Sequence, residues 1–518
     1  MKIKNIDINS QFQKALDLMA DTGKSVFITG KAGTGKSTLL DYYRRTAQKK
    51  LVVLAPTGVA ALNVFGETIH SFFKFKPNIT LRKVKKLSTE KSKIYKSLDS
   101  IIIDEVSMLR ADLLDCIDKF LRLNGKHSKQ TFGGLQMIFI GDLYQLPPVV
   151  IGREKEIFKK QYNNAYFFEA NALKDFPFEF VELETVYRQK DENFIELLNA
   201  IRNNSVTEEH FSMLNKRANI DLPSENSGFC ICLTTTNKTA AEINKQRLDE
   251  LKAKIYSYPA DIMGDFQENS YPADNELNIS INSQVMLLNN DTRGRWVNGS
   301  IGSLKKIKYD EEKETDVIYV EFPGGDIEEV LPVTWEIFHF AYNEKNNEIT
   351  TENVGSFSQY PLKLAWAVTI HKSQGKTFDK VIIDMGKGAF ACGQTYVALS
   401  RCTSFDGIFL KKPIKKSDIR MDFNIVRFLT GCQYSLSERD MPLEEKMELI
   451  SHAIKEKLSL EITYLKANDT KSRRVIKPFF VGERVYQDKT FTGVEAYCDK
   501  RSENRVFRVD RILEMKII

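Results

Sequence analysis

The chain contains no run of apolar residues long enough to cross a bilayer: stretches such as LVVLA and MIFI fall far short of the roughly 20 residues that a spanning helix needs. The first ten residues, MKIKNIDINS, hold no apolar segment of the kind that directs secretion. From these two absences we expect a cytoplasmic protein, bacterial in type, with no targeting segment and no membrane partner. Cysteine is sparse and scattered: seven residues, an odd number, with no CxxC and one close pair, Cys230 and Cys232, at alternate positions of an apparent strand. That pattern argues against disulfides, zinc and an iron–sulfur cluster. Charge of either sign is barely in excess, since +6 on 518 residues permits a polyanionic partner without requiring one. The remaining composition, 42% hydrophobic and 28% charged, is that of an ordinary globular chain. Its length corresponds to roughly three to four domains at about 150 residues each.

What is present begins at residues 30–38, GKAGTGKST. The spacing Gly30-x4-Gly35-Lys36-Ser37 fits a phosphate-binding loop. Its glycines, with Gly33, Thr34 and Thr38 between and after them, let backbone N–H groups close around a nucleotide triphosphate. Lys36 is expected to reach the β and γ oxygens, and Ser37 to ligate Mg2+. The preceding SVFIT reads as a buried strand and the following STLLDYYRR as a helix whose N-terminus faces the anion.

Such a site needs an acid for its metal. LDSIIIDEVSML, residues 98–109, reads as an apolar strand ending in Asp104, to hold Mg2+ through its water shell, and Glu105, to orient or deprotonate the attacking water. A further strand, LQMIFIGDLYQLPPV, ends in Asp142 and carries Gln145, an amide suited to sensing the γ-phosphate. Hydrolysis also needs a cation at the transition state. Arg188 in LETVYRQ and Arg401 in TYVALSRC are the candidates, and both can serve the loop only if a second domain folds against the first. Between them lie a strand-like FCICLTTTNKTAAEINK and LKLAWAVTIHKSQGKTFDKVIID. The latter reads as an apolar helix, a polar loop and a buried strand.

The ordered set GKAGTGKS, APTGVAA, HSFF, IIIDEVSM, GDLYQLPPV, VYRQ, AVTIHKSQG and YVALSR resembles superfamily 1B DNA helicases of the petite-integration-frequency (Pif) family, over roughly residues 8–412. DEVSMLRADLLDCIDKFLRLNG is similar to that family's signature helix. The resemblance implies an α/β fold with two RecA-like domains gripping ATP, 1A over 1–183 and 2A over 184–284 and 359–412. It implies a small 1B wedge at about 74–97, where KFKPNITLRKVKKLSTEKSKIYKS also reads as a solvated basic loop, and an SH3-like 2B insertion over 285–358. A basic linker over 413–441 follows. The family pattern places an adenine-reading glutamine at Gln13, with Gln11 as the alternative, and brings Gly375 to the nucleotide.

The resemblance implies single-stranded and forked or tailed duplex DNA as partners, G-quadruplex DNA among them, and 5′-to-3′ travel; we expect a monomer. The residues add support of their own. Thr57 and Gly58 offer backbone to a phosphate, and His70, Phe72 and Phe73 stand among lysines, the mixture from which a sequence-tolerant strand channel is built. One of the two phenylalanines is expected to face the channel and the other the core. In 2A, Thr234 to Asn237 and the loop His371, Ser373, Gln374 are expected to hold the strand backbone. Six histidines without a cluster argue against a relaxase-type metal site. A DNA-stimulated ATPase switch that never unwinds stays open as the second reading.

Residues 442–518 resemble a WYL domain, a small SH3-like β fold, but Thr492, Gly493 and Val494 stand where the name-giving tripeptide is expected. The matching positions are Tyr464, Arg473 or Arg474, Pro478, Tyr497, Arg501, Arg505, Phe507, Arg508 and Arg511. Strand alternation in NRVFRVDRI puts Arg505, Phe507 and Val509 on one face, Arg508 and Asp510 on the other. Tyr464, Arg473, Arg501 and Arg505 are the expected contacts for single-stranded DNA or a nucleotide-like anion.

Overall fold

The computed structural model describes residues 8–21, 23–76, 79–150, 158, 161–218, 220, 229–266, 268, 271–343, 348–486 and 489–518. They form two compact units, one of residues up to 202 with 206–420, the other of 203–205 with 421–518.

The first unit starts with a six-stranded sheet whose neighbours all pair in parallel. Its strands are β1 (Ser25–Gly30), β2 (Leu51–Ala55), β3 (Glu67–Thr68), β4 (Ser100–Ile103), β5 (Gln136–Ile140) and β6 (Phe178–Leu183), in the order β3-β2-β4-β5-β1-β6. Every residue of β1, β4 and β5 is buried, as strands covered on both faces must be. One cover is α1 (Ser10–Ala20), whose Phe12, Ala15 and Met19 recur at helical spacing and pack with Leu39, Leu40 and Tyr43 of α2 (Lys36–Thr46). Four more helices accompany this sheet: α3 (Gly58–Asn63), α4 (Ile69–Phe72), α5 (Lys93–Ser97) and α6 (Ala111–Asn124). The segment 74–97, expected as a wedge or a solvated loop, is tied to α6 in its described part. The Leu87 N–H donates to Asn124 Oδ1, Asn124 Nδ2 to Lys85 O, and Lys119 Nζ to Leu81 O.

After α7 (Glu192–Arg202) and α8 (Glu208–Asn215), β7 (Ile231–Thr234) leads into α9 (Asn237–Glu250), capped by Thr236. The second half of the stretch expected to be strand-like is therefore helical.

The β-rich insertion follows as β8 (Ile255–Pro259), β9 (Asp261–Gly264), β10 (Glu276–Ser280), β11 (Gln284–Leu287), β12 (Ile301–Asp310), β13 (Thr315–Glu321), β14 (Ile327–Val330), β15 (Val333–Asn343), β16 (Glu348–Gln359) and β17 (Leu362–Leu364). Its main sheet runs β14-β13-β12-β11-β17, antiparallel throughout, around Val285, Leu304, Ile318 and Val320. Its strands span Ile255–Leu364, around the stretch 285–358 expected as the insertion, and the main sheet's β11 begins at Gln284. β8 and β9 alternate exposed and half-buried residues, so no apolar pattern marked them.

The helix expected over LKLAWAVTI is also absent. Leu362–Leu364 pairs with β11, and β18 (Ala367–Thr369) joins β7 in the second parallel sheet. A short apolar run carries no period that separates a helix from a buried strand. With β19 (Val381–Asp384) and β20 (Ile408–Leu410) that sheet runs β18-β7-β19-β20, followed along β19 by the short α10 (Gln394–Leu399).

In the second unit, α11 (Phe423–Asp440) occupies most of the stretch expected as a linker, with Asp422 capping it through the Asn424 N–H. α12 (Leu443–Lys455) follows. An antiparallel sheet completes the unit: β21 (Leu460–Leu465), β22 (Lys471–Tyr486), β23 (Lys489–Cys498), β24 (Glu503–Arg508) and β25 (Ile512–Ile517), ordered β24-β23-β22-β21-β25. Its core joins Ile450 and Ala453 of α12 to Ile462, Ile476, Val494, Ala496 and Phe507.

Candidate nucleotide-binding site

The loop from Gly30 to Lys36 connects a fully buried strand to a helix that has no side-chain cap at its N-terminus. The N-cap is Gly35, in the left-handed region at φ 86°, so the first N–H groups of α2 point where an anion can take them. Gly33 is also left-handed, at φ 82°, and a Cβ there would stand 2.6 Å from that of Arg188. The glycine is what lets Arg188 pack this closely on the loop. Lys36 Nζ donates to Gly30 O (2.7 Å) and Lys31 O (2.9 Å). Burial holds its ammonium below the ordinary lysine value, while Asp142 and Glu105 pull it back up.

This loop forms one wall of a cleft of about 760 Å3. Thr34, Ser37 and Thr38 line it with Lys36, and Glu105 and Gln145 come from the ends of the neighbouring strands. Glu105 sits left-handed at φ 50°, a conformation that costs a non-glycine residue about 1–3 kcal/mol. Burial pushes the Asp104 carboxyl up to about 7, and Glu105 beside it pushes the same way. Burial also raises Glu105, against the pull of Lys36 and the hydrogen bond from Gln374 Nε2 (2.9 Å).

The opposite wall carries Arg188, Gly375, Thr377 and Arg401. Arg401 is 1% exposed, and burial, then Arg188, lower its guanidinium to about 9. It is held by Val397 O (3.0 Å), Lys376 O (3.2 Å) and Ser400 Oγ (2.9 Å). Arg188 Nη1 donates to Ser400 O at 3.2 Å, so both arginines are braced by the turn that ends α10. Gly393 opens that helix at φ 73°, and any side chain there would run into the backbone of Tyr144 and Gln145. Across this approach the Tyr396 hydroxyl accepts from the Ala32 N–H (2.9 Å) and donates to Asp142 Oδ2 (3.3 Å). Asp142 is fully buried, also faces Arg202 Nη2 at 3.5 Å, and binds the Gln145 amide at 3.4 Å.

Tyr396, Arg202, Tyr187 and Gln189 went unnoticed in the sequence. Tyr187 and Gln189 flank Arg188, and Tyr396 lies in the same run as Arg401, so a search for polar-tipped aromatics beside the arginines would have found the two tyrosines; nothing local marks Gln189 or Arg202. The two glutamines expected to read adenine stand elsewhere. Gln13 turns its amide to Asp17 on the exposed side of α1 (2.8 Å), and Gln11 exchanges hydrogen bonds with Glu184. Phe12, between them, is the α1 residue that lines the cleft.

The expected strand contacts divide. Thr57 caps α3 through the Ala60 N–H (3.3 Å) and Gly58 opens that helix. His70 is half-buried, with burial and then Arg110 keeping its imidazole below the ordinary value. Phe72 and Phe73, 2% and 1% exposed, correct the expectation that one of them faces a channel. They pack with Phe75, Tyr95 and Phe120, ring centroids 4.7–6.1 Å apart, in a knot that joins the 74–97 segment to α6. In the second domain, Thr234 Oγ1 and Ser373 Oγ are spent on Thr236 O and Ile370 O, and Asn237 is the first residue of α9. His371 stacks on the exposed Phe390 ring, centroids 6.0 Å apart.

In the second unit, pairing of Ile462 with Arg474 and of Thr463 with Arg473 settles which arginine shares the face of Tyr464. It is Arg474, 7% exposed, its guanidinium 5.9 Å from the Phe507 ring against which Tyr464 packs edge-on at 5.3 Å. Arg473 points outward to Glu461 (2.8 Å). Arg501 and Arg505 are exposed, and Arg505 pairs with Glu503 at 3.5 Å. Lys466 is held below its ordinary value by burial, then by Arg474, Lys500, Arg501 and Arg505, so these cations share one locality.

With this geometry in hand, likeness to known proteins is informative. The PIF1-like helicase family profile matches residues 5–211, and a WYL domain profile matches residues 445–517. The ATP-dependent DNA helicase Pif1 of Bdellovibrio bacteriovorus is 31% identical over 79% of this chain and 89% of its own. Crystal structures of Pif1 from Bacteroides sp., one in complex with ADP-AlF4 and one bound to single-stranded DNA, are 36% identical and cover 82% of this chain and 97% of theirs, with TM-scores of 0.75 and 0.60. The chain spans less of the longer curated relatives, 58% in the case of zebrafish ATP-dependent DNA helicase PIF1.

Proposed function

The chain belongs to the PIF1-like helicase family, and on that premise we propose that it hydrolyses ATP in the described cleft to travel 5′-to-3′ along single-stranded DNA and open duplexes. The observation that carries this reading is the meeting of Lys36 with Arg188 and Arg401 in one cleft, although Arg401 comes from the segment between two strands of the other parallel sheet. Closing of that cleft on ATP and opening after hydrolysis moves one domain's hold on the strand relative to the other's. Within the cleft, Lys36 and the α2 N-terminus bind the phosphates. Glu105 orients the attacking water, Gln145 contacts the γ-phosphate, and the two arginines meet the charge that develops in the transition state.

The acids suit a divalent cation. Asp104 and Glu105 are buried side by side with both carboxyls raised, which a divalent ion beside them reverses. Ser37 and Asp104 would hold it, and Mg2+ there would supply charge to neutralise the phosphate oxygens. In the second unit, Tyr464, Arg474, Arg501 and Arg505 hold single-stranded DNA or a nucleotide-like anion. Weaker oligonucleotide binding by full-length Arg501→Ala/Arg505→Ala supports that role, and unchanged binding at low salt removes it.

Strand displacement on labelled partial duplexes tests the main reading. Unwinding of the 5′-tailed duplex and not the 3′-tailed one is expected; the reverse overturns the polarity, and intact DNA-stimulated ATPase with neither unwound points to a switch.

A further inference from the structure

Residues 413–420, the start of the stretch expected as a basic linker, are bound into the first unit as a strap. At one end Ile414 exchanges two hydrogen bonds with Asn215 of α8: its N–H donates to Oδ1 (2.8 Å) and its carbonyl accepts from Nδ2 (3.1 Å). At the other end stands Asp418, 7% exposed. Its carboxylate accepts from the Lys415 N–H at Oδ2 (2.8 Å) and from the Ala389 N–H at Oδ1 (3.1 Å). Gly388 makes room for that carboxylate, since a Cβ there would stand 2.7 Å from Oδ1. Two carbonyls of the strap then take donors from the start of α10: Asp418 O accepts from Thr395 Oγ1 (2.5 Å), and Arg420 O accepts from the Gly393 N–H (3.1 Å).

α10 spans six residues, and a helix this short is not stable by itself. Its setting therefore comes from its neighbours. Gly393 abuts the backbone of Tyr144 and Gln145, and the strap holds the same glycine by its N–H. What the helix carries explains why that setting matters. Three acceptors fix the Arg401 guanidinium, and two of them, Val397 O and Ser400 Oγ, belong to α10 and the turn that ends it. Tyr396, which joins Ala32 of the phosphate loop to Asp142, is the residue after Thr395. A shift of the strap thus moves a cleft cation without touching the nucleotide.

We propose that Asp418 and Thr395 are positioning residues for ATP hydrolysis: the strap sets α10, and through it places Arg401 in the cleft. The assignment rests on the reading of the cleft above and adds to it two residues that do not line it.

Single-turnover hydrolysis and nucleotide affinity, both measured on the full chain with single-stranded DNA, separate positioning from binding. Thr395→Val is close in shape but removes the donor to Asp418 O, and Thr395→Ser keeps it. Thr395→Val and Asp418→Ala are each expected to slow the rate per bound ATP by about 10- to 100-fold, the scale of a displacement of about 1 Å, with nucleotide affinity unchanged. Thr395→Ser is expected to restore the rate. In an Arg401→Ala background the loss from Thr395→Val is expected to shrink, because the group that the strap places is gone. A loss undiminished in that background, a loss of nucleotide affinity in place of rate, or a wild-type rate in Thr395→Val overturns the assignment. The Thr395 variants decide it even if Asp418→Ala folds poorly. Wild-type hydrolysis by Arg401→Ala alone would instead bring down the reading of the cleft itself.

Discussion

Two sets of buried cations differ in what neutralises them. In the nucleotide cleft Lys36, Arg202 and Arg401 stand among Asp104, Glu105 and Asp142, whose charges partly oppose the cost of burial. At Arg474 of the second unit the cation has no carboxylate partner among the described residues, only Cys498 Sγ at 3.6 Å and the face of the Phe507 ring at 5.9 Å. The first arrangement sets its cations among acids, and the second leaves a buried cation without one. Removing a cation should therefore damage the protein in the first case and spare or stabilise it in the second.

The largest effect sharpens the first half of that contrast: Lys36→Ala leaves phosphate charge unmatched in the cleft and is expected to abolish ATP turnover, and wild-type turnover in a steady-state assay would contradict the loop's role. Arg202→Met strands Asp142 as a buried, uncompensated charge, for which a loss of about 3–5 kcal/mol in denaturant unfolding is expected. A change below 1 kcal/mol would show that Asp142 is satisfied without the arginine. Phe73→Ala is expected to cost about 3–5 kcal/mol of stability as a core truncation, with strand affinity per folded molecule unchanged. A selective loss of strand affinity would return the ring to a channel. The smallest change has the opposite sign. Arg474→Met removes an unpaired buried cation and should raise the unfolding midpoint of the second unit, by on the order of 1 kcal/mol; destabilisation would mean that Arg474 is neutralised within the fold.

The same contrast explains how much could be read from the sequence. The expected meeting of the loop at 30–38 with Glu105 and Gln145 in one cleft was legible because strand-end chemistry is local, whereas the two arginines reach the same cleft only through distant folding. Phe72 and Phe73 were not. Aromatics interleaved with lysines describe a strand channel and a core knot equally well, and Tyr95 and Phe120, far along the chain, decide between them. Arg473 and Arg474 are adjacent, so only the register of β22 against β21 determines which one faces inward. The helix expected over 362–370 failed for a related reason, since burial on both sides of a short strand erases the period that would identify it.

The central claim is that two parallel-sheet domains complete one ATP site, and Arg401→Ala tests it most directly through nucleotide affinity and single-stranded-DNA-stimulated turnover measured on the same preparation. The account predicts near wild-type nucleotide affinity with kcat reduced by about 10³- to 10⁵-fold, the range attributed to arginine fingers. Weakened binding with an unchanged rate per bound ATP would contradict it.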